Sequence, residues 1–281
     1  MTDERLSRSH GRKSIAATLK PRDLMNPTPD LAGVWAANVI TLFPETFPGV
    51  LGASLTGKAL KDGLWQLHTT DLRLFGDGRH RNVDDTPVGG GAGMVLRPDV
   101  LSKAIAHVGR NLATSSPAKE NPPLILLSPR GKPFTQARAR ELAQGPGVTL
   151  ICGRFEGVDQ RVIDTLSIEE ISIGDFVMTG GEIAAQALID ATVRLIPRVL
   201  GNQASTEEES FSDGLLEHPQ YTRPAVWNGR AIPEILLSGH HANITEWRQA
   251  MAERLTKERR PDLWRAWCAA HNRDPDEDQE L

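Results

Sequence analysis

The chain has 281 residues, 39% hydrophobic and 24% charged, which excludes a wholly disordered protein and allows one large core or one large plus one small. No apolar run approaches the roughly 20 residues needed to cross a bilayer, so no membrane partner is expected and the protein is read as soluble. The formal charge of −4 comes from the final residues: Asp274, Asp276, Glu277, Asp278 and Glu280 are five acids, and removing their charges leaves +1, a body compatible with nucleic acid through local basic patches.

Residues 1–34 carry Arg5, Arg8, Arg12, Lys13, Lys20 and Arg22 without the apolar core or cleavage site of a secretory signal, and read as a basic flexible extension. Cys152 and Cys268 lie far apart with no CxxC or Cys/His spacing, so neither a disulfide framework nor a zinc site is indicated. That usage fits the reducing cytoplasm.

Regular patterning begins with an apolar strand at Val39–Phe43, a helix at Leu55–Lys61 and a short strand at Leu64–His68. Residues Asp71 to Gly93 are polar and rich in Asp, Arg and Gly, and read as a long functional loop. A helix over Pro98–Leu112 and a spacer with Pro117, Pro122 and Pro123 follow. Strands and helices then alternate: strand Leu124–Leu127, helix Thr135–Ala143, strand Val148–Cys152, helix Val158–Leu166, strand Glu170–Ile173 and helix Glu182–Leu195. This rhythm predicts an α/β fold with a largely parallel sheet and helices on both faces. Pro197 and Gly201 end the last helix, and residues 201–213 form an acidic-polar linker. His218–Pro233 is loop-like. Helices at Ile244–Arg259 and Pro261–His271, with basic faces, predict a small helical domain over 214–272, with Arg223, Arg248, Arg254 and Lys257 as candidate phosphate contacts. Residues 273–281 form an acidic tail, expected to be disordered.

Two glycine-rich segments are weak signals. GASLTGKA, from Gly52 to Ala59, resembles a phosphate loop, but Ala59 stands where a Ser or Thr should hold magnesium and no strand directly precedes it. It reads instead as a surface helix capped by Ser54 or Thr56. GGGAG, Gly89 to Gly93, lacks the spacing of a dinucleotide loop. Three loops at strand ends are more informative: Leu127-Ser128-Pro129-Arg130-Gly131, Cys152 to Gly157, and Ile173-Gly174-Asp175 through Gly180-Gly181-Glu182. Ligands of open α/β sheets bind outside the carboxyl ends of strands, so these loops can surround one small molecule.

The motifs LFPETFPG, RHRNVDDTPVGGGAGMVL, LLSPRGKPF, LICGRFEGVDQRVID, EEISIGDFVMTGGEIAAQALIDATVRLIPRVLG, SFSDGLLEHPQYTRP and LLSGHHANITEWR make the region from Val39 to Arg260 similar to the bacterial tRNA (guanine-37-N1) methyltransferases of the TrmD type. The resemblance implies a SPOUT-class fold over residues 35–200 with a deep trefoil knot toward its carboxyl end, and a homodimer with shared active sites. It implies S-adenosylmethionine as methyl donor, held by Leu127, Ser128, Pro129, Gly153, Glu156, Ile173, Gly174, Phe176, Met178, Gly180 and Gly181. It leaves Mg2+ as a candidate requirement for turnover, and assigns no residue as a metal ligand.

Guanine N1 carries a proton at neutral pH, so methylation there needs a base and a positive group for charge developing toward O6. The resemblance puts these roles on Glu209 and Arg194. It puts Ser205 against the target base, and Asp84, Gly93 and Arg223 on the tRNA side. Glu209 replaces an Asp usual in the family, and Phe155, Val88 and Ala92 replace a Tyr, a Tyr and a Pro; activity is expected to survive. Without the resemblance, Glu209 is a solvated charge in an acidic linker and Arg194 a helix residue paired with Asp190. A donor-binding RNA module without catalysis and, on GASLTGKA alone, a nucleotide hydrolase are the competing functions.

Overall fold

The computed structural model describes residues 33–115, 121–200 and 209–276. Its centre is a five-stranded sheet built from β1 (Ala36–Thr41), β2 (Gln66–Asp71), β5 (Leu124–Pro133), β6 (Gly147–Cys152) and β7 (Glu169–Ser172), in the order β2-β1-β6-β5-β7. Every neighbouring pair is parallel. β1 and β6, paired on both sides, are buried along their whole lengths, as strands covered on both faces must be.

Because successive side chains alternate across a strand, each strand feeds two cores. Ala37, Val39, Ile125, Leu127, Val148, Leu150 and Cys152 point into one cluster, where α1 (Ser54–Lys61), α3 (Gln136–Gln144) and α5 (Glu182–Val193) contribute Ala59, Leu142, Leu188 and Ile189. Ile40, Leu126 and Ile151 point into the other, closed by α2 (Pro98–Ser115) and α4 (Gln160–Leu166) through Val100, Leu101, Ala104, Val162 and Ile163. The expected α/β sheet with helices on both faces is present.

Several boundaries differ from the sequence reading. β1 starts three residues before the expected Val39, because Asn38 is polar yet buried at 5% exposure. The segment from Asp71 to Gly93 is not an irregular loop throughout. It contains a 3-10 turn at Leu72–Phe75, and β3 (Asp84–Asp85), which pairs antiparallel with β4 (Val95–Leu96). Arg97 clamps it, donating to Asp77 Oδ2 at 2.7 Å, while Arg97 N donates to Val83 O at 2.9 Å. The expected caps of α1 are also absent: Ala53 is the N-cap and accepts no side-chain bond, Ser54 is already the first helical residue, and Thr56 Oγ1 donates to Asp190 Oδ1 at 3.0 Å. Gly57 in that segment is required by packing, since a Cβ there would stand 2.1 Å from Gly52 O.

After residue 209 come β8 (Val226–Trp227), β9 (Arg230–Ala231), α6 (Glu234–Leu237), α7 (His241–Arg259) and α8 (Pro261–Ala270). Leu215, Ala252, Trp264, Trp267 and Cys268 make a third, separate core. The acidic tail is ordered at its start: Trp264 Nε1 donates to Pro275 O at 2.9 Å, and Arg273 pairs with Glu253 at 2.9 Å beneath the Trp267 ring. Residues 1–32 and 277–281 lie outside the described residues. No helix among the described residues is long and apolar enough to cross a membrane.

Candidate active site

The carboxyl ends of β5, β6 and β7 open into a cleft of about 250 Å³. All eleven residues assigned to the methyl donor line it, from Leu127, Ser128 and Pro129 through Gly153 and Glu156 to Ile173, Gly174, Phe176, Met178, Gly180 and Gly181. The three loops are locked mainly through backbone. Ser172 Oγ donates to Gly174 O at 2.9 Å and accepts from Gly174 N at 3.2 Å, which tightens the turn after β7. Gly181 N donates to Gly153 O at 3.0 Å, and a Cβ on Gly181 would stand 2.8 Å from Cys152 Cα. Only glycine lets these two chain segments approach so closely.

Arg154 was not selected from the sequence, yet it joins these loops. Its Nη1 donates to Thr179 O at 3.1 Å, its Nη2 pairs with Glu182 Oε2 at 2.9 Å, and its guanidinium lies 4.4 Å from the Phe43 ring centroid. Glu182, in the first turn of α5, is 4% exposed and also accepts from Thr41 Oγ1 at 2.7 Å. One ion pair thereby ties the end of β1, the loop after β6 and the start of α5 together. Burial, then the charge of Glu182, pushes the Cys152 thiol well up, so it stays protonated beneath the cleft.

A second constellation lies where α5 ends. Arg194 caps the helix, and its Nη1 donates to Glu209 Oε2 at 2.6 Å while Nη2 donates to Oε1, a bidentate pair. The hydrogen bonds from Arg194, then its charge, hold the Glu209 carboxyl below the usual carboxylate range. The simple pairing of Arg194 with Asp190 is not formed; Asp190 takes Thr56 instead. Glu209 also lines a groove of about 230 Å³ with Ser212, Thr245, His218 and Arg248. This groove and the cleft at the strand ends share no lining residue within one chain.

The sequence pattern described as tRNA (Guanine-1)-methyltransferase TrmD matches residues 36–266. The chain belongs to this family. The tRNA (guanine-N(1)-)-methyltransferase of Cereibacter sphaeroides is 70% identical over 253 residues, covering 89% of this chain and all of that protein. That of Ruegeria pomeroyi is 71% identical over 85% of this chain and 96% of its own length, and that of Brucella ovis 57% identical over 84% and 94%. The activity is therefore methylation of guanine N1 in tRNA, and membership of this methyltransferase family implies S-adenosylmethionine as the donor.

Of the residues expected on the tRNA side of this methyltransferase, Gly93 lies against Glu156, a residue that lines the cleft. A Cβ there would stand 2.4 Å from Glu156 Cγ, and Glu156 N donates to the neighbouring Met94 O at 2.9 Å. Asp84 is half-buried in β3, register-paired with Leu96. Arg223 is elsewhere, on a cavity of the C-terminal region. Ser205 lies outside the described residues.

Proposed function

We propose that this methyltransferase acts on the guanosine at position 37, beside the anticodon, with Glu209 as general base and Arg194 as the group that stabilises charge on O6. The bidentate Arg194–Glu209 pair carries the reading. A lone linker acid would be solvated, whereas this one is held ionised beside a cation. A guanine edge offers the same complementary pattern, N1–H beside O6, so it can enter by exchanging partners: N1–H to the carboxylate, O6 to the guanidinium. Glu209 then takes the N1 proton, and the nitrogen electron pair it frees is the nucleophile. Arg194 offsets the charge that spreads to O6.

The donor cleft fits a sulfonium nucleoside. Leu127, Ile173 and Met178 offer an apolar wall, Glu156 a carboxylate for positive charge, and Gly153, Gly180 and Gly181 close backbone approach. When bound, S-adenosylmethionine supplies an electrophilic methyl on a positively charged sulfur. The chain's part is to hold that carbon in line with N1 and to remove the proton.

Because the cleft and the Glu209 groove share no lining residue within one chain, a homodimer would complete the site by facing the cleft of one protomer toward Glu209 of its partner. Sedimentation should give a dimer; an active monomer at working concentration would overturn the shared site. Residues 35–200 are assigned as the SPOUT domain, 201–213 as linker and 214–272 as the tRNA-binding domain, supported by the separate tryptophan core. A deep trefoil knot toward the carboxyl end of residues 35–200 is part of this proposal. Action is assigned to the cytoplasm. Among the described residues no group of three or more His, Cys, Asp and Glu could hold a metal ion. A Mg2+ requirement in turnover is tested by adding EDTA to the assay.

The decisive experiment is Glu209→Gln, which keeps the shape and removes the basic oxygen. Single-turnover methylation should fall by about two to four orders of magnitude with donor and tRNA affinities little changed. Glu209→Asp should retain most activity, and Glu207→Gln and Glu208→Gln should be mild. Near-normal turnover in all the Gln variants would overturn the assignment of the base.

A further inference from the structure

Two neighbouring helices of the sheet domain each send an arginine to the turn that carries Glu209. α5 ends on Arg194, which holds the carboxylate, and α3, packed beside α5, supplies Arg140. Arg140 Nη2 donates to Ser212 Oγ at 3.0 Å. Ser212 in turn is tied to Glu209, because its N–H donates to Glu209 O at 3.0 Å and closes the turn between them. Arg138, two residues earlier on α3, pairs with Glu141 and Glu169, whereas Arg140 makes no ion pair among the described residues. After the hydrogen bonds and charge of Arg194, the charge of Arg140 is the next influence that lowers the Glu209 carboxyl.

The turn needs such a hold. Phe211 within it takes φ +71°, and a bulky residue stays in that left-handed region only where its surroundings over-determine it. Phe211 N donates to Leu215 O at 2.8 Å and Glu217 N to Ser210 Oγ at 2.9 Å, so the segment keeps its own shape, while Leu216 N, donating to Thr256 Oγ1 at 2.8 Å, ties it to α7. On the sheet side the exchange proposed above takes Arg194 from Glu209 to O6, which breaks the bidentate tie at the moment the base must be in place. The bond from Arg140 to Ser212 involves no group of the guanine and outlasts that exchange. Its support is firm, because Ala139 and Leu142 anchor α3 in the core on either side of Arg140. Arg140 lines neither the cleft nor the Glu209 groove, so any part it has in the reaction is indirect. We infer that Arg140 is a positioning residue for methyl transfer: through Ser212 it fixes the turn, so that the Glu209 carboxylate stays in reach of N1–H while Arg194 turns to O6. The inference rests on the reading of Glu209 as the base.

The test is single-turnover methylation of unmodified full-length tRNA by the full chain at saturating S-adenosylmethionine and protein. Arg140→Gln and Ser212→Ala should each lower the saturated rate about tenfold, part of the roughly hundredfold cost of a 1 Å misplacement, while donor and tRNA affinities change by less than about twofold. Ser212→Thr, which keeps the hydroxyl, should retain the rate. The double variant Arg140→Gln, Ser212→Ala should be no slower than Arg140→Gln alone, because both changes break one bond. In a Glu209→Gln background neither change should slow the reaction further, since Arg140 acts through that carboxylate. A wild-type rate in Arg140→Gln overturns the inference, as does a loss that persists undiminished in the Glu209→Gln background. A loss confined to tRNA affinity also overturns it and makes Arg140 a phosphate contact instead. Ser212→Ala removes a single oxygen and keeps the question answerable should Arg140→Gln not fold. Near-normal turnover in Glu209→Gln itself would remove the base, and the inference with it; a slow Glu209→Gln beside a normal Arg140→Gln removes the inference alone.

Discussion

The cleft proposed for the methyl donor and the side proposed to face tRNA are built in opposite ways. Around the cleft, the loops after β5, β6 and β7 interlock largely through main-chain contacts: a Cβ at Gly181 would stand 2.8 Å from Cys152 Cα, while one at Gly180 would meet the Arg154 side chain. On the other side, Arg194 and Glu209 meet through side chains alone, and the neighbouring cavity is bounded by side chains of Tyr221, Arg223, Trp247 and Arg248. A site made of backbone should tolerate exchange of a rim side chain, such as the half-exposed Phe155, but not an added methyl at a close backbone approach. A site made of side chains reverses that rule: its backbone can shift while its charges cannot be exchanged.

Three substitutions or conditions sharpen this contrast. The largest effect is expected from Glu182→Ala, which leaves the largely buried Arg154 without its carboxylate partner. Loss of one partner from such a buried pair costs about 3–5 kcal/mol, and urea unfolding should show it. Stability within 1 kcal/mol of wild type would mean that the ion pair does not hold the three segments. Next, Gly181→Ala should displace the backbone at Cys152 and Gly153. A displacement approaching 1 Å lowers kcat/KM for the donor by about a hundredfold, with tRNA affinity unchanged. An equal loss in tRNA affinity would show that the two sides are not built independently.

The smallest effect comes from pH. Arg194 holds the folded pKa of Glu209 below its unfolded value of about 4.3, so the pair's contribution is complete above that value and is lost as pH falls through the folded pKa. Arg194 remains charged throughout. Between about pH 5 and pH 3, wild-type stability should fall more steeply than that of Glu209→Gln, by about 1 kcal/mol or less for so partly exposed a pair. Parallel curves would show that the pair does not stabilise the fold.

What was legible in the sequence follows the same division. β6 is an apolar run interrupted only by Thr149, and the expected Val148–Cys152 lies within it. The glycine loops stood out because chain crossings force glycine into contiguous motifs. The Thr41, Arg154 and Glu182 set did not, since it joins three separated positions and no periodicity marks a buried acid. The β8–β9 ribbon was passed over although its signal was present: Asn228 and Gly229 both take positive φ, the two-residue turn that Asn-Gly favours. Glu209 lay beyond any reading of pattern alone, because an acidic linker looks the same whether or not an arginine waits fifteen residues earlier. Only the family resemblance singled it out.

β5 pairs with β7 at Leu127↔Ile171, leaves it for four residues, and returns at Lys132↔Ile171, so both ends of the excursion are anchored at one point of the neighbouring strand. Ser128 through Gly131 therefore form a small arch with fixed feet. An arch of that kind can flex at its crown without sliding, and its ends are brought together once, during folding, rather than each time a ligand arrives. A ligand entering the cleft would meet a rim whose shape was settled in advance, and the sheet beneath need not move for the rim to breathe.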